Sequence, residues 1–146
     1  MRQRGYTLIE LLIVVAIIGL LAAIAIPNLI NALQRSRQKR TMADMRAISE
    51  AVEMYHQDLS FFPIYADVDA DALRGDLRIY VKQFNGFDGW NHPFLYTSDG
   101  DDYTLVSRGG DRALDGSWPL GETGYYDCDI VFSGGAFMQW PGGVQR

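Results

Sequence analysis

Glu10 is a carboxylate in a place where carboxylates are costly. It lies between Ile9 and Leu11, at the head of an unbroken apolar run, LLIVVAIIGLLAAIAI, over residues 11–26. An ionised acid in hydrocarbon is penalised unless it is paired, so charge pairing is the chemistry its position implies. The bland alternative is an acid at the interface that snorkels into the headgroups. Other chemistry-bearing residues form weaker patterns. Asp67-Val-Asp-Ala-Asp71 opens like an EF-hand loop, but Ala72 stands where the sharp turn needs Gly and Arg78 where calcium needs a bidentate Glu. That stretch reads as an exposed acidic turn. His56 and His92 come with no H-E-x-x-H, no G-x-S-x-G and no Cys/His ligand spacing, and no spacing singles out two carboxylates for acid–base work. The sequence therefore reads as a non-enzyme. Cys128 is the single cysteine, has no partner for an intrachain disulfide, and reads as a small buried residue.

The elements around Glu10 follow from hydropathy. Tyr6 to Ile26 is a 21-residue stretch with one charge; at about 1.5 Å per residue a helix of that length crosses a ~30 Å hydrocarbon core. Ala22-Ala23-Ile24-Ala25 imitates a signal-peptide cleavage site, yet the run before it already holds Glu10 and helical periodicity continues after it. Met42, Met45, Ile48, Val52, Tyr55 and Leu59 form one apolar stripe at helical period. One helix is expected from about Tyr6 to about Asp58, with a membrane half over 6–27 and an amphipathic half over 28–59. Pro27 removes an amide donor and predicts a kink, and Gly19 is a second weak point.

Residues 60–146 lose the helical period and turn rich in Gly, Pro, Asp and aromatics. Leu77 to Phe84 fits either a short helix or a strand. Phe94–Thr97 and Tyr103–Ser107 read as strands joined by a polar turn, and Asp129–Ser133 and Ala136–Trp140 flank a Gly134-Gly135 hairpin turn. The expected fold is α+β, a long N-terminal helix packed on a small antiparallel β-sheet. Trp90, Tyr96, Tyr103 and Trp140 suit core or subunit contacts better than a ligand cage.

Charge is segregated. Residues 1–40 hold Arg2, Arg4, Arg35, Arg37, Lys39 and Arg40 against Glu10 alone, whereas 41–146 carry 17 acids and 7 bases. That balance argues against nucleic acid, which needs a cationic surface. The 35–40 cluster suits anionic lipid headgroups or a solvated helix face, and the sequence does not choose between them.

Arg4-Gly5-Tyr6-Thr7-Leu8-Ile9-Glu10, the apolar run and Pro27 together resemble the class III signal of type IV pilins and pseudopilins. The resemblance implies that residues 1–5 are a leader. It implies that a prepilin peptidase cuts after Gly5 on the cytoplasmic side, and that Tyr6, in place of the usual Phe, becomes a methylated N-terminus. It also implies that Glu10 meets such a freed amine as helices bundle into a filament, and that Gly19 to Pro27 unwinds on packing. A second segment, Phe87-Asp-Gly-Trp-Asn-His-Pro-Phe-Leu-Tyr96 with Asp102–Asp111 and Asp127-Cys-Asp-Ile130, is similar to the major pseudopilin of type II secretion systems. Gly89 replaces a proline of that pattern, Gly110 an alanine, and Arg112 a glycine; the Gly134-Gly135 hairpin extends past its usual end.

That second resemblance implies a calcium ion (Ca2+) stapling the loop before the last strands. Asp111 matches one family ligand, Asp127 or Asp129 the closing acid, and the Arg108 carbonyl a backbone ligand, while Asp115 is an extra acid without a family match. Calcium takes about six to eight oxygens, and neighbouring acids repel one another without a cation. A solvated loop in which Arg112 neutralises Asp111 is the alternative.

The resemblance implies a structural subunit of a type II secretion pseudopilus, a helical homopolymer driving protein export. Its implied partners are minor pseudopilins, the peptidase, an inner-membrane platform protein, an assembly ATPase, an outer-membrane secretin and inner-membrane lipid. The implied location is the bacterial inner membrane, single-pass, with the C-terminal domain periplasmic; counting positive charges alone would place residues 35–40 in the cytoplasm. A type IV surface pilus subunit, serving adhesion, motility or DNA uptake, is the nearest alternative, and a membrane-tethered domain that never polymerises the remoter one.

Overall fold

A computed structural model describes residues 6–143 and 145. The long helix, α1, runs Leu8–Leu59 without a break, two residues from the expected start and one from the expected end. Pro27 lies inside it, where the side-chain amide of Asn28 donates to the Ile24 carbonyl at 3.0 Å. The chain divides into two compact units, Met1–Leu33 and Gln34–Arg146. In the first, every described side chain is exposed except Ala22, which is half-buried. A helix that is apolar all round and buries nothing of its own requires lipid or like helices around it.

The second unit is one helix face against one sheet. Met45, Ile48 and Val52 of the stripe are buried, joined by Ala51 and Ser49, while Met42 and Tyr55 flank the core. Leu59, expected to close the stripe, is exposed at the helix end. The sheet has six strands in the order β1-β2-β3-β5-β6-β4: β1 Tyr65–Asp69, β2 Leu95–Ser98, β3 Tyr103–Ser107, β4 Gly121–Thr123, β5 Ile130–Ser133 and β6 Ala136–Pro141. The expected hairpins are present, with Ser98 opposite Tyr103 and Ser133 opposite Ala136. Gly134 and Gly135 both have positive φ, 56° and 81°, as a two-residue turn matching strand twist requires. Tyr96 and Tyr103 fill the core, and the Tyr103 hydroxyl bonds Ser49 at 2.8 Å.

Three expectations are corrected. The sheet is mixed, because the short edge strand β4 runs parallel to β6. The Asp67–Asp71 stretch is mostly strand β1 followed by a 3-10 turn, Ala70–Leu73. Asp67 sits at a bulge with φ 51°, where the Thr97 hydroxyl donates to its carboxylate at 2.7 Å. A bulge with exposed acids suits an edge strand that must not recruit another. Finally, helical turns occur at Ala70–Leu73 and Arg74–Leu77, and residues 81–84 are neither helix nor strand.

A tight turn fastens the sheet side to α1. Gly89 donates its amide to the Thr41 hydroxyl at 2.9 Å, and that hydroxyl donates to the Arg37 carbonyl at 2.9 Å. A Cβ at Gly89 would lie 2.3 Å from the Arg37 carbonyl oxygen. Proline, usual here in the resembling family, would clash and lose the amide bond in this chain. Gly89→Ala is expected to destabilise the protein by about 1–3 kcal/mol and lower Tm by roughly 5 °C or more. Gly75→Ala, whose Cβ would meet nothing within 4 Å, serves as the control in the same thermal melt.

Candidate functional site

Two places gather the sequence-expected residues. The first is the N-terminus of α1. Thr7 precedes the helix, and both its amide and its hydroxyl donate to Glu10 Oε2 at 2.8 Å, while the Glu10 amide donates to the Thr7 hydroxyl at 3.3 Å. This is a capping box, which satisfies helix-end donors reciprocally. The sequence reading missed it, although Thr7-Leu8-Ile9-Glu10 carries its signature of a hydroxyl residue three positions before an acid. Among the described residues no bond reaches Oε1. Tyr6 is 84% exposed. Gly5 lies outside the described residues.

The second place is the loop between β3 and β5. Asp88 anchors its base: buried completely as a side chain, it accepts from the Trp90 and His92 amides through Oδ1 at 2.9 and 2.8 Å and from the Ser107 hydroxyl through Oδ2 at 2.8 Å. Three donors offset the cost of burying a carboxylate. The His92 ring meets the Gly109 carbonyl at 3.1 Å, so Nδ1 must carry the proton there. Gly109, at φ 59°, passes so close to the 127–128 backbone that a Cβ would be 2.4 Å from the Asp127 carbonyl oxygen. At Gly110, where the resembling family has alanine, a Cβ would lie 2.9 Å from Asp127 Oδ1; the Asp127 carboxylate takes that space.

The loop closes on Asp129. Its Oδ2 accepts from the Asp115 amide at 2.9 Å and from Trp118 Nε1 at 2.8 Å, and the Asp129 amide donates back to Asp115 Oδ2 at 3.0 Å. Asp129 Oδ1 is buried with no hydrogen-bond partner. Asp111 accepts from the Ala113 amide in an exposed turn, and Arg108 has its Nε buried without a partner. Asp115 and Asp129 are thus brought into contact, whereas the described residues contain no group of three His, Cys, Asp or Glu side chains placed to hold a metal. Cys128 is half-buried. Trp118 and Gln139 were not foreseen. The Gln139 side-chain amide donates to the Asp129 carbonyl at 2.8 Å, and the signal for it was a polar residue at an inward position of an alternating strand.

Burial pushes the Asp129 carboxyl up from its ordinary value; the Trp118 and Asp115 donors pull against it, and the Asp115 and Asp111 charges push with burial. A raised native value means that the native state holds the proton longer, so stability falls as pH rises from about 3.9 through that value. Asp129→Asn keeps an acceptor for Trp118 but cannot ionise. In EGTA, wild type should therefore lose stability relative to Asp129→Asn across that pH window; parallel curves of Tm against pH would contradict this.

The N-terminal unit and the helix-on-sheet unit define a membrane-anchored, pilin-like protein. Residues 1–26 match the prokaryotic N-terminal methylation motif, and residues 28–119 match type II secretion system (T2SS), protein G. Type II secretion system core protein G of Escherichia coli (strain K12) is 31% identical over 133 residues, covering 86% of this chain and 88% of that one. The core protein G of Vibrio cholerae is 32% identical over 114 residues, 71% of this chain and 77% of its own. Type IV major pilin protein PilA of Myxococcus xanthus is 46% identical over 66 residues, which is 45% of this chain and 30% of that pilin. No solved structure matches the chain. The chain belongs to the type II secretion system protein G family, the major pseudopilins, and is a structural subunit of the pseudopilus.

Proposed function

We propose that this subunit polymerises through α1 and that Glu10 sets the register, by pairing with the amine freed at Tyr6 of a neighbouring copy when a prepilin peptidase cuts after Gly5. Glu10 is the only charge in residues 6–33, the part of α1 that leaves almost every described side chain exposed, and that observation carries the reading. The capping box occupies Oε2 and leaves Oε1 for a cation. Before cleavage the Tyr6 nitrogen is an uncharged amide; afterwards it is a cation, and pairing with it lowers the penalty on the acid. Elongation would lift exported proteins through an outer-membrane secretin, with a cytoplasmic ATPase, a platform protein and minor pseudopilins as partners and the second unit on the periplasmic side. The work is mechanical, and no catalysis is assigned to the chain.

Mass spectrometry of the mature protein should find an N-methylated Tyr6 as its first residue. Glu10→Leu should insert into the membrane normally yet lower filament yield at least about tenfold; filaments at the wild-type level would sink the reading. The partial PilA match supports a second reading as a surface pilus, which filaments on the cell surface at native expression would favour.

We also propose that calcium binds the Asp129 loop. The donor chemistry fits, since Asp111, Asp115, Asp127 and Asp129 offer hard oxygens with the Arg108 carbonyl, and Asp129 Oδ1 is buried with nothing to accept from. When bound, the ion would supply a cation that neutralises these acids and holds the loop closed. Calcium at about 1 mM should raise Tm of the wild type by several degrees and leave Asp129→Asn unmoved. Identical melts in calcium and EGTA would rule it out.

A further inference from the structure

Cations crowd one short stretch of α1. Arg35, Arg37, Lys39 and Arg40 fall within six residues. Arg40 is 3.5 Å from Asp44, while Arg35, Arg37 and Lys39 have no ion-pair partner among the described residues. Arg35 and Lys39 are one helical turn apart and share a face. With Gln38 and Met42 they wall a groove of about 270 Å³ whose far side is Pro141, Gly142, Gly143 and Gln145.

That far side is fixed. Gln145 is buried; its amide nitrogen donates to the Gly142 carbonyl at 2.7 Å and the Thr123 carbonyl at 2.5 Å, and its amide oxygen accepts from Gln38 at 3.0 Å. Glu122 packs on Gly142, where a Cβ would lie 2.4 Å from its Cδ. The groove's cations are all on its helix side, so an anion would sit at the Arg35–Lys39 rim.

We propose that this groove binds the phosphate of an anionic phospholipid headgroup. Arg35 and Lys39 take the phosphodiester, and Met42 and Pro141 offer apolar surface to the glycerol that follows it. Arg35 is the first charged residue after Glu10 and lies two residues beyond the exposed apolar Leu33, so the cations follow the apolar side chains in the order that headgroups follow acyl chains. The inference rests on the apolar N-terminal unit spanning the membrane and is independent of polymerisation.

The test is native mass spectrometry of the full-length chain in neutral detergent, offered phosphatidylglycerol, phosphatidylcholine or inorganic phosphate. Wild type should retain phosphatidylglycerol about twenty-five-fold better than the Arg35→Gln/Lys39→Gln double variant, from two cations each contributing about fivefold. Arg35→Lys/Lys39→Arg should restore retention, and Lys82→Gln should not change it. Equal retention by wild type and the double variant would overturn the proposal, as would displacement of the lipid by an equal concentration of inorganic phosphate. A double variant that keeps the lipid but loses chemical cross-linking between copies would overturn it in favour of a second copy of the chain. A chain recovered from cells without detergent would overturn the membrane reading itself.

Discussion

A carboxylate on an exposed apolar helix needs either hydrogen-bond donors or a cation, and among the described residues Glu10 finds only Thr7. The Thr7 amide and hydroxyl both go to Oε2, which holds the first turn together and fixes the side chain against the helix end. Oε1 keeps its full demand. Lipid cannot meet that demand, so the arrangement favours whatever neighbour brings a positive charge to the same depth. Proteolysis ahead of Tyr6 would create such a charge on every copy at once. One acid can then act as a register mark along a surface that dispersion forces alone would let slide.

The second unit has a different design, in which polar groups do the fastening. Asp88 is buried yet holds three donors, tying the turn at Gly89–His92 to the end of β3 at Ser107. Thr41 bridges that turn to the helix backbone, and Gln38 joins the chain's tail through Gln145. These bonds run between segments far apart in sequence, so their loss would loosen the sheet from the helix stripe without altering either element. A subunit that transmits force along a filament needs that coupling.

Much of the fold was legible because its signals are local and periodic. The stripe through Met45, Ile48 and Val52 and the Gly134-Gly135 turn each speak for one element, and both are where the sequence places them. What was not legible depends on partners distant in the chain. Strand β4 is three residues long and exists only because β6 lies beside it. Strand β1 is acidic and bulged, against β-propensity, and is held by Thr97 from the neighbouring strand. Glu10 stood out by its hydropathic context, yet its bond to Thr7 was overlooked despite a local signature. The Asp129 loop was recognisable by its acids, while Trp118, the residue that satisfies one of them, carried no pattern at all.

Glutamine at position 10 separates the two duties of this side chain, because it preserves the capping box with Thr7 while removing the charge. Filament yield of Glu10→Gln, in cells where membrane insertion and Tyr6 processing are verified as normal, is the most direct measurement. The account predicts a helix as well capped as wild type and a filament yield close to that of a strain in which the leader is never cut. Filaments as abundant and as long as wild type would contradict it, and would reduce Glu10 to a helix cap.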